Sequence, residues 1–98
     1  MDIIKVKAVS RTAGVAGAIA GVIRERQYAE VQAIGAGAVN QAVKSMVLAR
    51  NFLEQDKIDI SFKPEFANVE IEGKVRTAIK FIVESHPLKE KQKEETED

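Results

Sequence analysis

The stretch Ala33–Val47, AIGAGAVNQAVKSMV, changes its hydrophobic period in mid-run, and that change constrains the fold more than any other feature of the chain. Upstream of it, AEVQAI over residues 29–34 reads as a short strand. Beyond Gly37, the residues Val39, Ala42, Val43, Met46 and Val47 recur at helical spacing and predict a helix with one buried face. Asn40, Gln41, Lys44 and Ser45 fall on its other face, and Met46 reads as core filler. Gly35 and Gly37 sit between strand and helix. A glycine turn opening a helix is a common way to hold a phosphate, because the first-turn N–H groups have no partner within the helix. It is also simply a way to turn tightly, and the residues alone leave both readings open.

The remaining segments extend the pattern. Residues 3–8 alternate, with Ile4, Val6 and Ala8 against Lys5 and Lys7, as a half-buried strand does. Ser10 or Thr12 is placed to cap a helix over residues 13–26, whose Val15, Ile19, Val22 and Ile23 form one face. Gly14, Gly17 and Gly21 also recur at helical spacing. Each interior glycine costs roughly 1 kcal/mol relative to alanine, so the stripe predicts a close backbone approach to the sheet or the second helix. KIDISFKPEF over residues 57–66 alternates as an edge strand bulged at Pro64, and the chain runs on through Val69 and Ile71 to a turn at Glu72–Gly73–Lys74. TAIKFIV, residues 77–83, is apolar on both faces and suits an interior strand. The expected fold class is α/β in the two-layer, α+β sense. The order is βαβαββ, a four-stranded mixed sheet carrying both helices on one face. The loops at Ser10–Thr12 and Gly35–Gly37 then leave the same end of the sheet, where such sheets usually bind ligands. One domain is expected over residues 1–85, followed by a charged, disordered tail over 86–98.

Composition narrows the chemistry. The 98 residues include no cysteine, which removes disulfides, thiolate metal sites and cysteine nucleophiles. The longest apolar run, Ala13–Ile23, is too short to span a bilayer, and the acidic, alternating N-terminus is unlike a signal peptide, so a soluble, cytoplasmic protein with no membrane partner is expected. Net charge is zero, but residues 1–83 carry twelve Lys/Arg against nine Asp/Glu, and residues 84–98 three against six. A mildly basic body with an acidic tail implies weak, salt-dependent binding to nucleic acid at most.

No catalytic constellation emerges. The single histidine, His86, reads as a solvated tail residue, and Ser10, Ser45, Ser61 and Ser85 have no histidine or lysine arranged beside them. No metal-ligand spacing is present. GAGAVN fails as a dinucleotide fingerprint because Asn40 stands where the third glycine belongs, and Glu54 and Asp56 precede the third strand rather than ending a strand. No enzyme and no cofactor are expected. What survives is an anion site built from the N–H groups of Ala36 to Val39, the helix dipole and donors at Asn40, Gln41 and Lys44, with Arg11 joining from the neighbouring loop. The hairpin of residues 63–76 adds Lys63, Lys74 and Arg76, interleaved with Glu65, Glu70 and Glu72.

VAGAIAGVIRER, then AEVQAIGAGAVNQAVKSMVLARNFL, then RTAIKFIVE together closely resemble the stage V sporulation protein S family, over residues 2 to about 84. That family resembles the Alba proteins, small chromatin and RNA-binding proteins, so the resemblance implies an Alba-like sandwich. Alba proteins carry R-G-R-A-I-S-K-A-V at the second strand-to-helix turn. Here the matching residues are Gly35-Ala36-Gly37-Ala38-Val39-Asn40-Gln41-Ala42-Val43, with both arginines replaced by glycine and the lysine by Gln41. The lysine pair of that pattern falls on SRT, leaving only Arg11. The resemblance implies a DNA- or RNA-binding regulator of sporulation or cell division that contacts the phosphate backbone, assembled as a homodimer or higher homo-oligomer. Apolar area along the second helix at Leu48 and Phe52 would supply the dimer contact. The alternative is a protein-interaction scaffold whose glycine turn grips a partner's anionic group, and a third reading gives the turn a small anionic metabolite.

Overall fold

A computed structural model describes residues 3–89. Its elements are β1 (Ile3–Val6), α1 (Thr12–Arg26), β2 (Tyr28–Ala33), α2 (Ala36–Leu53), a single 3-10 turn (Glu54–Asp56), β3 (Ile58–Ile71) and β4 (Lys74–Pro87). The four strands form one sheet in the order β1-β2-β4-β3, parallel between β1 and β2 and antiparallel elsewhere. The βαβαββ order and the mixed sheet with two helices are as the hydrophobic periods predict.

Alternation decides which sheet face is covered. Val6, Ala29, Val31, Ala33, Phe81 and Val83 form the floor of the core, and Ile19, Ile23, Ala42, Met46 and Leu53 descend onto it from the helices. Truncating a fully buried side chain such as Ile19 or Leu53 to alanine costs about 2–5 kcal/mol.

Several local expectations are corrected. β1 ends at Val6, because residues 7–10 close into a turn in which the Ser10 N–H donates to the Lys7 carbonyl at 3.0 Å and the Lys7 N–H to Ser10 Oγ at 2.8 Å. Ser10 therefore holds that turn rather than capping α1, whose N-cap is Arg11 without a side-chain bond. Gly14, Gly17 and Gly21 are exposed, and a Cβ at any of them would meet nothing within 4 Å. The close packing on α1 is made by Ala16 and Ala20 instead, and no contact among the described residues explains the glycine stripe. On α2 the buried face is turned toward Ala38, Ala42, Ser45, Met46, Ala49 and Leu53. Ser45 is fully buried, its hydroxyl donating to the Gln41 carbonyl at 2.7 Å, while Val43 and Val47 face solvent.

β3 has no bulge at Pro64, for its register with β4 runs unbroken through Lys63↔Ile82, Pro64↔Phe81 and Glu65↔Lys80. The hairpin closes on Glu72 and Gly73, both at positive φ (49° and 78°), the geometry of a two-residue turn. Alternate pairs counted back from Ile71↔Lys74 put the Pro64 nitrogen on the outer edge, where no ladder bond is lost. The same count puts the Ile60 N–H on that edge, and Asp59 Oδ1 accepts it at 2.9 Å. A long edge strand is thus blunted at two points. β4 carries His86 and Pro87 within the sheet, two residues past the expected domain limit, and the rest of the acidic tail, 90–98, lies outside the described residues.

Candidate functional site

Both strand-to-helix loops open at one end of the sheet, and they touch. An ideal Cβ on Gly37 would lie 2.9 Å from Ala8 Cβ, so α2 approaches the β1–α1 loop as closely as it does only because residue 37 lacks a side chain. Gly35, the N-cap of α2, has φ 90° and ψ 157°, a conformation that disfavours any residue with a Cβ. Each glycine is accordingly accounted for by backbone geometry alone.

Gln41 fastens the same two loops from within. Its Nε2 donates to the Ser10 carbonyl at 2.8 Å, so this side chain is committed to the protein and is half-buried. The Val39 N–H, expected to face a ligand, donates to the Gly35 carbonyl at 3.0 Å. The unpartnered first-turn donors of α2 are therefore those of Ala36, Gly37 and Ala38. In α1 the Val15 N–H bonds to Arg11, which leaves Thr12, Ala13 and Gly14 in the same position.

Two observations set the electrostatics. Neither helix has a side-chain N-cap, and neither first turn holds an acidic residue. The partial positive charge of two adjacent helix N-termini is thus left uncompensated by nearby carboxylates. Arg11 and Lys44 are exposed, and among the described residues neither forms an ion pair. Asn40 is exposed one turn before Lys44 on the same face of α2. Gln41 thereby ties the loop of Arg11 to the start of α2, which carries Gly35, Ala36, Gly37 and Asn40, with Lys44 one turn further along.

The hairpin cations stand apart from that group. Ile79 of β4 pairs with Ala33, the last residue of β2, and the hairpin continues past the sheet in the direction of the glycine turn. Lys63, Lys74 and Arg76 lie on one pleat, however, and it is the helix-free face of the sheet. On that face Lys80 Nζ reaches Glu65 Oε1 at 3.5 Å.

The opposite end of the sheet holds a polar cluster that the sequence reading missed. Arg50 donates twice to Asp59, at 2.6 and 3.3 Å, and this holds the Asp59 carboxyl below its ordinary range. Ser61 Oγ and His86 Nε2 share a hydrogen bond of 2.5 Å. These side chains, with Glu54 and Lys57, line an open cleft of about 900 Å³. His86 is therefore a strand residue with a partner, and Ser61 does have a histidine beside it, contrary to expectation. The hairpin count that pairs Ser61 with Glu84 and Asp59 with His86 is the signal that would have found the cluster. Asp59 is engaged by Arg50 and the Ile60 N–H rather than by His86, so among the described residues no serine–histidine–carboxylate relay is assembled. Among the described residues no group of three or more His, Asp or Glu side chains is arranged to hold a metal. No helix among the described residues is long and apolar enough to cross a membrane.

A family model described as Stage V sporulation protein S matches residues 2–86, and the chain belongs to that family.

Proposed function

We propose that this sporulation-related chain is a non-enzymatic regulator that binds DNA or RNA by its phosphate backbone in the cytoplasm. The observation that carries this reading is the pair of adjacent, uncapped, acid-free helix N-termini flanked by Arg11 and Lys44. Phosphate oxygens are the natural acceptors for the exposed N–H groups of Ala36 and Gly37, and Asn40 supplies a further donor. Gln41 acts by holding the loop of Arg11 in place rather than by direct contact. Lys63, Lys74 and Arg76 form a secondary contact that a bent or wrapped strand would reach. With so few cations, affinity is weak and falls with salt along a shallow slope, one that scales with the few phosphates neutralised. Fluorescence anisotropy with labelled DNA and RNA at low and moderate salt tests the reading. Salt-dependent binding, weakened by Arg11→Ala and Lys44→Ala, is the expected result. Absence of binding at low salt rejects it in favour of a scaffold whose turn grips a partner protein's carboxylate or phosphate.

The active form in this reading is a homodimer or higher homo-oligomer. Its contact runs along α2, where the Phe52 side chain is exposed and Leu48 is only partly covered by the core. The solvent-facing Val43 and Val47 border a groove of about 220 Å³ with Met46, Ile60 and Phe62. Phe66, 80% exposed, and Val75 continue that apolar strip along the helix-side face of the hairpin. Sedimentation of Val47→Asp as a smaller species than the native chain is the expected result, and a native chain that is monomeric at high concentration contradicts it.

A further inference from the structure

Val9 is the most exposed large apolar residue among those described, at 87%. A single exposed valine is ordinary on a protein surface, and its setting is what separates this one. The loop that carries it is fastened on both sides. The Ser10 N–H bonds to the Lys7 carbonyl, the Lys7 N–H to Ser10 Oγ, and Gln41 of α2 to the Ser10 carbonyl, at 3.0, 2.8 and 2.8 Å. Ala8, the preceding residue, lies directly against Gly37. Val9 therefore stands at the tip of a rigid turn, outside the core, with its methyl groups in water. It is bracketed in sequence by Lys7 and Arg11, and it adjoins the first turn of α2 through Ala8.

We propose that Val9 is an apolar contact of the interface described above, packing on a sugar or base edge of the bound nucleic acid; this rests on the nucleic-acid reading. The surrounding cations and N–H groups address phosphate oxygens, which leaves the sugar and base edges as the surfaces a valine side chain covers. Apolar side chains inserted beside cationic ones are a known device for gripping a nucleic-acid groove. Because the turn is pinned beforehand, little ordering is needed on binding. Valine carries no charge, so it adds affinity without adding to the salt dependence.

The test compares the native chain with Val9→Ser, Val9→Ile and Arg11→Ala. Each is titrated into a labelled DNA duplex of mixed sequence and into a single-stranded RNA of the same sequence, at stepped KCl concentrations. Val9→Ser is expected to weaken binding about fivefold at every salt concentration, giving a line parallel to that of the native chain. Val9→Ile is expected to bind at least as tightly as native. Arg11→Ala is expected to lower both the affinity and the salt slope, the latter by about 1. Native-like binding by Val9→Ser beside weakened binding by Arg11→Ala overturns the role of Val9 and leaves the nucleic-acid reading standing. No binding by the native chain to either probe overturns both. Val9→Ser melts at the native temperature in the expected case, since the side chain packs on nothing; a lowered melting temperature assigns the residue to the fold instead.

Discussion

The two ends of the sheet treat their polar groups in opposite ways. Where α2 finishes, Arg50 holds Asp59, Arg24 reaches Asp56 and the Phe52 carbonyl, and Ser61 is paired with His86. Where α2 begins, two helix N-termini stand without caps, and Arg11 and Lys44 have no ion-pair partner among the described residues. Groups that are already partnered hold the fold together, whereas unpartnered donors of one sign are available to a ligand. The difference separates a structural corner from a candidate interface on one small domain. It also assigns the larger cleft, the one at the paired end, to structure.

The comparison breaks most readily at Gly37. Gly37→Val forces a side chain onto Ala8 and is expected to lower stability by about 1–3 kcal/mol in urea unfolding. Ala8→Gly in the same chain is expected to recover part of that loss, a coupling between residues in direct contact. A neutral Gly37→Val would mean that the glycine serves a ligand rather than the packing of two loops.

Removing the Gln41 side chain sharpens the picture of the loop. Gln41→Ala is expected to cost about 1 kcal/mol and to speed amide exchange over residues 7–10. Unchanged exchange there would free Gln41 from its structural role.

The paired end makes its own prediction about pH. Asp59 is held below its ordinary range, first by its hydrogen bond from Arg50 and further by the Ile60 N–H. A carboxyl whose folded pKa is depressed contributes stability above its unfolded pKa of about 3.9, and loses it as pH falls through the folded value. Asp59→Asn is expected to be less stable than the native chain at neutral pH and to converge with it on acidification below about pH 4. A gap that persists at the lowest pH would show that charge pairing is not its source. The smallest effect on stability belongs to Arg11→Ala and Lys44→Ala, each expected within about 0.5 kcal/mol of native. A larger loss for either would move that residue from the interface to the fold.

The type and order of the elements were legible because hydrophobic period is a local property. The half-buried alternation in β1 and the doubly apolar β4 each declare themselves within a few residues. What was not legible depended on distant contacts. Val43 and Val47 share helical spacing with Ala42 and Met46, and only the packing of α2 against the rest of the fold decides that Ser45 goes inward while Val47 stays out. Pro64 in a strand suggests a bulge until the two-residue turn sets which edge its nitrogen faces. The stripe of Gly14, Gly17 and Gly21 pointed to a close approach that Ala16 and Ala20 in fact provide. At the candidate site, the glycine turn and its neighbours were recognisable from residue type. The commitment of Gln41 to Ser10 and the contact of Gly37 with Ala8 join residues about thirty positions apart, and no local pattern encodes them.

Amide chemical-shift mapping on the native chain, titrated with a short DNA duplex or RNA strand at low salt, tests the central claim most directly. The largest shifts are expected at Ala36 and Gly37, with Thr12 to Gly14 next and residues 57–61 and 85–88 unmoved. Shifts concentrated at the Arg50–Asp59 and Ser61–His86 end, or none anywhere, would contradict it.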